Sequence, residues 1–417
     1  MPEFFQLRRS AGLPAGHRAY KVSCMARTRT IDHFEIAVIG GGATGYGAAL
    51  SAARCGFETA LFAPPARFPP GRTAALLHGS IAMLEHFGVW PDLAGNAAPL
   101  AAMRLVDATA RLIRAPEVTF HACEIGLPAF GYNIANADLV AAFQKQAARQ
   151  ERLTILADPV SAIEPQPDSV NLAFGKRRKT SVRLVIGADG GRSLARHAAG
   201  IATRDWDYAQ AALVTTLAVE YPHEDISTEF HTETGPFTLV PLPGRRMSLV
   251  WVDRPDIAEA AAKSAEPDFN AEIERKACSI LGKMTVDSER AVFPLRAMLA
   301  ERFAASRIML VGEAAHVFPP IGAQGLNLGF RDIAALDRIL PRHRGDPGEA
   351  PALAAYHRAR QGDIRSRTYA VDLLNRSLLT GFLPVQALRG AALALAGSLP
   401  PLRWILMKQG LAARGGA

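Results

Sequence analysis

Six consecutive residues, Gly40-Gly41-Gly42-Ala43-Thr44-Gly45, are the first in the chain whose type and spacing imply a chemistry. They follow the apolar run Ile36–Ile39 and open a stretch of small residues over 44–54 that reads as a helix. A glycine at the first position permits a tight turn, one at the third lets backbone approach a pyrophosphate, and one at the sixth lets the helix pack on its strand. Gly40, Gly42 and Gly45 are therefore candidate residues for binding a dinucleotide. The helix N-terminus would offer its phosphates unpaired N–H groups and a partial positive charge. The residue closing the second strand, over 59–62, usually takes the adenosine ribose hydroxyls as Glu or Asp, and here it is Ala63. A charge-assisted hydrogen bond is worth about 1.5–3 kcal/mol, so nucleotide binding is expected to be weaker by one to two orders of magnitude. Arg67 or Arg72 would offset part of that loss; a backbone group or a water taking the ribose is the alternative.

Two further stretches follow the same logic. Val185-Ile186-Gly187-Ala188-Asp189-Gly190-Gly191-Arg192-Ser193, ending near Arg196, runs a buried strand into a sharp turn. There Asp189 can accept hydrogen bonds from the local backbone or from a ribityl chain. The third stretch is Leu310-Val311-Gly312-Glu313-Ala314-Ala315-His316, followed by Pro319-Pro320-Ile321-Gly322-Ala323-Gln324-Gly325-Leu326-Asn327, with Asp332 beyond. Glu313, at the end of a strand, is placed to bind a ribitol hydroxyl. The loop from Gly322 to Gly325 opens a helix whose dipole favours developing negative charge in front of it. His316 lies three residues after Glu313 on the same side of one turn, and a structural imidazole packed under the loop is preferred to a proton carrier.

These residues need a scaffold that gathers strand ends. The opening segments read as strand, turn, helix, strand, the start of a doubly wound parallel sheet. Helices are expected over 78–90 and 137–149, and strands at 153–156 and 182–187. Residues 211–253 are plainly β, with strands at 212–220, 227–232, 237–242 and 247–252 separated by turn signals such as Pro243-Gly244. The strand over 308–311 then belongs back with the first sheet, so the β-rich unit interrupts the nucleotide-binding unit. After about 345 the chain reads as helical, broken by Pro384, Pro400 and Pro401.

Composition excludes several classes. At 417 residues, 49% hydrophobic and 21% charged, the chain is that of a globular protein of two joined domains. A net charge of +8 attracts anionic nucleotides or an anionic membrane surface, and no basic run interleaved with aromatics points to nucleic acid. The four cysteines, Cys24, Cys55, Cys123 and Cys278, form no CxxC pair. Plain thiols in a reducing compartment are expected, with no metal site. No apolar run reaches the roughly 18 residues of a spanning helix. Residues 1–24 lack the apolar segment of a secretory signal, and Met25 reads as an alternative start that would make them a tail.

The ordered set of GxGxxG, Gly-Ala-Asp-Gly and Gly-Glu-Ala-Ala-His resembles the FAD-dependent aromatic hydroxylases of the p-hydroxybenzoate hydroxylase type, and in detail the ubiquinone-biosynthesis hydroxylases. Matching segments at Gly71-Arg72-Thr73-Ala74-Ala75-Leu76, at residues 235–243 and at Leu373-Leu374-Asn375-Arg376-Ser377 extend the resemblance over about 35–410. The resemblance implies an α/β fold: a Rossmann-like FAD-binding domain over 35–105, 137–205 and 291–345, interleaved with a β-rich substrate domain over 106–136 and 206–290. A tail over 1–34 precedes it and a helical region over 346–417 follows. FAD would be held by Gly40, Gly42, Gly45, Arg72, Asp189, Glu313, Gly322, Gly325 and Asn327. Two positions depart from the family: Glu313 stands where Asp is usual, and Asn136 where Arg often contacts the flavin.

The resemblance further implies that NADH or NADPH supplies a hydride to FAD and that one atom of dioxygen reaches an electron-rich phenol. The substrate would be an aromatic small molecule, a polyprenylated ubiquinone precursor, held between flavin and β-rich domain, with Phe237, Leu239 and Trp251 as pocket candidates. Two readings compete with the hydroxylase: a flavin reductase on the same fold, and a non-enzymatic assembly protein that has lost firm flavin binding. The C-terminal segment carries Leu378, Leu379, Phe382, Leu383, Trp404, Ile405 and Met407 beside Arg389, Arg403 and Lys408. It reads either as an amphipathic surface for a membrane or partner or as a helical cap on the substrate domain. The corresponding location is cytoplasmic, with a peripheral contact to the inner membrane, a quinone-synthesis complex or a homodimer as further expectations.

Overall fold

The computed structural model describes residues 33–65, 71–110, 114–319 and 323–379, with Pro401, Arg403, Trp404 and Met407; at 370, 371 and 374–379 it describes the backbone alone. The expectations placed on residues 1–24, Arg67, Gly322, Phe382, Leu383, Pro384, Arg389, Pro400, Ile405 and Lys408, and on the side chains of Leu378 and Leu379, lie outside the described residues.

The short apolar runs form the centre of a parallel sheet. Its strand order is Ala304–Ala305, Ile308–Leu310, Leu184–Gly187, Ile36–Ile39, Thr59–Phe62, Leu153–Leu156, all parallel except the Ala304–Ala305 edge. Ile36–Ile39, Thr59–Phe62 and Leu184–Gly187 are buried at every position, as strands covered on both faces must be, and this is why they read as continuous rather than alternating runs. Helix Ala43–Arg54 packs between the helices Asn136–Ala147 and Gln324–Ile339.

The β-rich unit is a second, nine-stranded sheet. Strands Thr203–Val219, Ile226–His231, Pro236–Leu242 and Arg246–Asp253 lie where the alternation predicts, the first starting nearly ten residues earlier. Strand Ala102–Asp107 runs parallel to Ile226–His231, so the first crossing into this sheet comes before 105, not after it. Gly131–Ala135 pairs instead with Thr73–Leu77, in a small sheet between the two units. Thr73 Oγ1 bonds Ser248 Oγ at 2.9 Å, and Asn133 Nδ2 donates to the Pro241 carbonyl at 2.9 Å. A three-stranded antiparallel sheet over Val160–Pro165, Val170–Phe174 and Arg178–Val182 was not foreseen. Nor were helices Pro255–Lys263 and Glu266–Lys276.

The large sheet has two distinct faces because its strands alternate. Leu213, Phe237, Leu239, Leu249 and Trp251 form one buried cluster with Phe269 and Ile273 of the Glu266–Lys276 helix. The rings of Phe230, Phe237 and Trp251 meet edge to face at 5.9 and 6.1 Å, a geometry aromatic quadrupoles favour. The opposite face carries Ser248 and Phe293 and looks towards the small sheet: Thr73 bonds Ser248, and the Arg72 guanidinium lies 5.2 Å over the Phe293 ring. Its residues Val214, Thr238 and Val250 are only half buried.

Helix Ala350–Leu379 closes the nucleotide-binding unit through a buried charge network. The fully buried Asp332 carboxylate accepts from Arg360 Nε at 2.7 Å and from Gly312 N–H at 2.9 Å, and lies 2.8 Å from His316 Nε2. Asp363 in turn pairs with Arg360, Arg331 and Arg367. Burial pushes the Asp332 and Asp363 carboxyls up, but the surrounding cations and hydrogen bonds outweigh it and hold both below the ordinary carboxylate range. Carboxyls lowered in the fold stabilise it above their unfolded value of about 4, and that stability is lost as pH falls through the folded values. Urea unfolding is therefore expected to show stability falling below about pH 4. Asp332→Asn, which strands Arg360, is expected to cost about 3–5 kcal/mol at neutral pH and to flatten the acid limb. A variant as stable as the parent would contradict the role given to this network.

Candidate cofactor and substrate site

The three motifs leave the C-terminal ends of three neighbouring parallel strands, Ile36–Ile39, Leu184–Gly187 and Ile308–Leu310. In an open α/β sheet this edge is where ligands bind. In the first motif the backbone turns at Gly40 with φ +132°, and a Cβ at Gly45 would lie 1.9 Å from the Gly40 carbonyl oxygen. The sequence roles of Gly40 and Gly45 are thus the structural ones. A Cβ at Gly42 would meet nothing within 4 Å, which leaves open space at the N-cap of helix Ala43–Arg54. No side chain caps that helix, so its first N–H groups are available to an anion.

Asp189 has mainly a local role. It accepts from Ser193 Oγ at 2.5 Å and from Ala195 N–H at 3.1 Å, and so fixes the start of the short helix Leu194–Ala198. Arg196, at the edge of the motif, joins the second motif to the third: it donates to the Gly191 carbonyl at 2.7 Å and the Ala314 carbonyl at 2.9 Å. Burial lowers its pKa, in keeping with a guanidinium spent on backbone carbonyls.

In the third motif Glu313 is exposed and makes no hydrogen bond to the described residues, so its carboxylate is free to accept from a ligand hydroxyl. Helix Gln324–Ile339 begins after Ala323, held in the left-handed region at φ +54°, again with no side-chain cap. Gly325 has open space at its Cβ position. Asn327 is the first correction. Its Oδ1 accepts from Leu77 N–H and Ser80 Oγ, and its Nδ2 donates to the Ala75 and Ala323 carbonyls. All four hydrogen-bonding positions of the amide are used, so Asn327 fastens the loop to the neighbouring strand and offers nothing to a cofactor. His316 is structural as preferred, buried against Asp332 and Phe318.

Arg72 stacks over Phe293, and its carbonyl accepts from Asn136 N–H at 3.0 Å. It therefore stands where the small sheet meets the inner face of the large one. Asn136 Oδ1 is sealed from solvent with no partner. An orphaned buried acceptor costs about 1–3 kcal/mol, which a ligand with an O–H or N–H at this point would recover. With two uncapped helix ends, the open position at Gly42 and the free Glu313, the residues fit a dinucleotide carrying hydroxyl and ring N–H donors.

The pocket candidates are the second correction. Phe237, Leu239 and Trp251 all point into the cluster beneath helices Pro255–Lys263 and Glu266–Lys276, on the face away from the motifs. The inner face presents Thr238, Val250, Val214 and Phe293 instead. The missed signal was the apolar spacing of Ala258, Phe269 and Ile273, which marks a helical layer demanding one whole face of the sheet. Among the cysteines, burial pushes the Cys55 thiol up to about 11, and no cluster able to hold a metal occurs among the described residues. No described helix is long and apolar enough to cross a membrane. Arg403 bonds Glu124 at 2.6 Å and covers Phe120, and Met407 is buried beside Ala122 and Phe130, so these two residues behave as a cap.

A model of the FAD binding domain matches residues 33–366. The ubiquinone hydroxylase UbiL of Rhodospirillum rubrum is 30% identical over 90% of this chain and 89% of its own. The 3-demethoxyubiquinol 3-hydroxylase of Escherichia coli is 30% identical over 87% of this chain and 94% of its own. Among solved structures, p-nitrophenol 4-monooxygenase PnpA from Pseudomonas putida superposes with a TM-score of 0.76 at 17% identity, covering 93% of this chain and all of that one. From the gathered motifs, the family match over most of its length and these two relatives, the chain belongs to the FAD binding domain family and stands in it as a FAD-dependent monooxygenase.

Proposed function

We propose that the chain hydroxylates the phenolic ring of a polyprenylated ubiquinone precursor, using NADH or NADPH and dioxygen. The observation that carries this reading is the meeting of two surfaces. One is the strand edge bearing three nucleotide-binding motifs; the other is a half-buried, largely apolar sheet face joined to it through Arg72 and Thr73. The relatives named for ubiquinone hydroxylation support the substrate class.

FAD, when bound, supplies the chemistry: it takes a hydride from the nicotinamide and activates dioxygen. The protein supplies position and environment. The first turn of helix Ala43–Arg54 binds the pyrophosphate through N–H groups. Glu313 accepts from a ribityl hydroxyl, and the start of helix Gln324–Ile339 favours negative charge on the reduced cofactor. Val214, Val250 and Thr238 form a floor against which an aromatic ring packs and from which water is excluded. Exposed Tyr369, Leu373 and Trp404 support a peripheral contact with the membrane that holds such a substrate, or with a second protein of quinone synthesis.

Purified protein mixed with FAD is expected to show oxidised-flavin absorbance that reduced nicotinamide bleaches and air restores, with oxygen from dioxygen entering an added alkylphenol. Flavin that cycles without incorporating oxygen would favour the reductase. Replacing Glu313 by Ala is expected to weaken FAD binding about ten- to a hundred-fold, the value of a charge-assisted hydrogen bond. Ala63→Glu, which restores a carboxylate at the end of strand Thr59–Phe62, is expected to tighten it about ten-fold or more. Fluorescence titration of FAD measures both; unchanged affinity in the Glu313 variant would remove that residue from the site.

A further inference from the structure

Two polar residues on the inner face of the large sheet are not used by the cofactor site. Leu105, Glu229, Thr238, Val250, Val214 and Ala291 fall in one cross-strand row. Phe230, next to Glu229, is buried in the outer cluster, so strand alternation turns Glu229 and His231 to the inner face. His231 Nε2 lies 2.9 Å from Glu229 Oε1. The imidazole is 8% exposed and the carboxylate 21%. The strongly buried His231 thus holds a carboxylate that still opens to the cleft. Neither Glu229 Oε2 nor His231 Nδ1 has a partner among the described residues, and neither is sealed from solvent.

A carboxylate placed in a row of Thr and Val side chains is costly unless something there donates to it. His231 satisfies one oxygen. The other is an acceptor without a donor, one strand away from the apolar floor. An ionised carboxylate only accepts, so it selects a ring bearing an O–H and repels a ring bearing a carboxylate. A site with a buried polar group that pairs with a substrate hydroxyl rejects the analogue lacking it, because the group is then left unpaired.

We propose that Glu229, positioned by His231, accepts a hydrogen bond from the ring hydroxyl of the substrate and so sets the enzyme's preference for neutral phenols over their ethers and over benzoates. This rests on the hydroxylase reading above. No covalent or redox step is added: the pair fixes which ring enters and how it is turned towards the cofactor.

The test uses FAD-loaded protein and three probes, 4-propylphenol, its O-methyl ether and 4-propylbenzoate, with affinity read from the perturbation of the flavin absorbance. The parent protein is expected to bind the phenol at least about ten-fold more tightly than either analogue, as expected for a charged hydrogen bond. In Glu229→Leu the difference between phenol and ether is expected to shrink to about two-fold, and the benzoate is expected to gain affinity. FAD binding should be unchanged, which shows that the variant is folded. His231→Gln, which keeps a donor towards Glu229, is expected to retain most of the discrimination, and His231→Leu to lose much of it. A Glu229→Leu protein that binds FAD and still separates phenol from ether as the parent does would overturn the proposal and leave the hydroxylase reading standing. A FAD-loaded parent that binds none of the three probes and oxygenates none would overturn both.

Discussion

Everything at the site depends on how closely one helix can approach its own strand. Helix Ala43–Arg54 begins immediately beyond strand Ile36–Ile39, and at Gly45 there is no room for even one carbon beside the Gly40 carbonyl. The same helix is gripped from the other side, where a Cβ at Gly329 would lie 3.0 Å from Thr44 Oγ1. Thr44 therefore sits in a slot formed by the third motif. Because interiors are packed as densely as organic crystals, this slot sets the distance between the two uncapped helix N-termini. Neither helix end would be placed for a shared ligand if either glycine carried a side chain.

The second constraint is the division of labour between the faces of the large sheet. Its outer face is spent on stability: aromatic rings interlock there beneath two helices and are shut off from solvent. The inner face is left half buried, with small and branched side chains, and is tied to the nucleotide-binding unit through Thr73, Arg72 and Asn133. A sheet rigidified from behind gives a fixed floor in front, which a catalytic geometry requires. The residues that hold the floor rigid are the large ones, so size and hydrophobicity alone point to the wrong face.

That distinction explains what was legible in the sequence. Gly40, Gly42, Gly45 and Glu313 were readable because their roles are local: a turn, an approach, a strand end. The strands of the β-rich unit were readable from alternation, and the interruption of one unit by the other from the return of an apolar run at Ile308. Phe237, Leu239 and Trp251 were misread because alternation gives two faces without saying which is covered; that is decided by the helices over 255–276, far along the chain. Asn327 looked like a ligand residue because it lies in a glycine-rich loop, but its four partners include residues some 250 positions away. The pairing of Glu229 with His231 required both the register and the face, and neither is present in local pattern.

The site also shows where polar contacts with a cofactor can be given up. Ala63 removes a carboxylate at the adenosine end, and Asn136 offers a short amide where a longer cation is common. Each loss is worth a few kcal/mol at most. What remains is backbone: two helix ends, a strand edge of three motifs and Arg196 binding the second motif to the third through carbonyls. Backbone groups cannot be mutated away, and they are held by the fold itself, so their geometry costs nothing to organise when the ligand arrives. The orphaned oxygen of Asn136 marks the same economy from the other direction, since a group left unpaired in the protein makes ligand binding, rather than folding, the step that satisfies it. A scaffold arranged in this way retains its cofactor position while individual side-chain contacts drift, and it places the choice of substrate on the few polar groups of the opposite sheet.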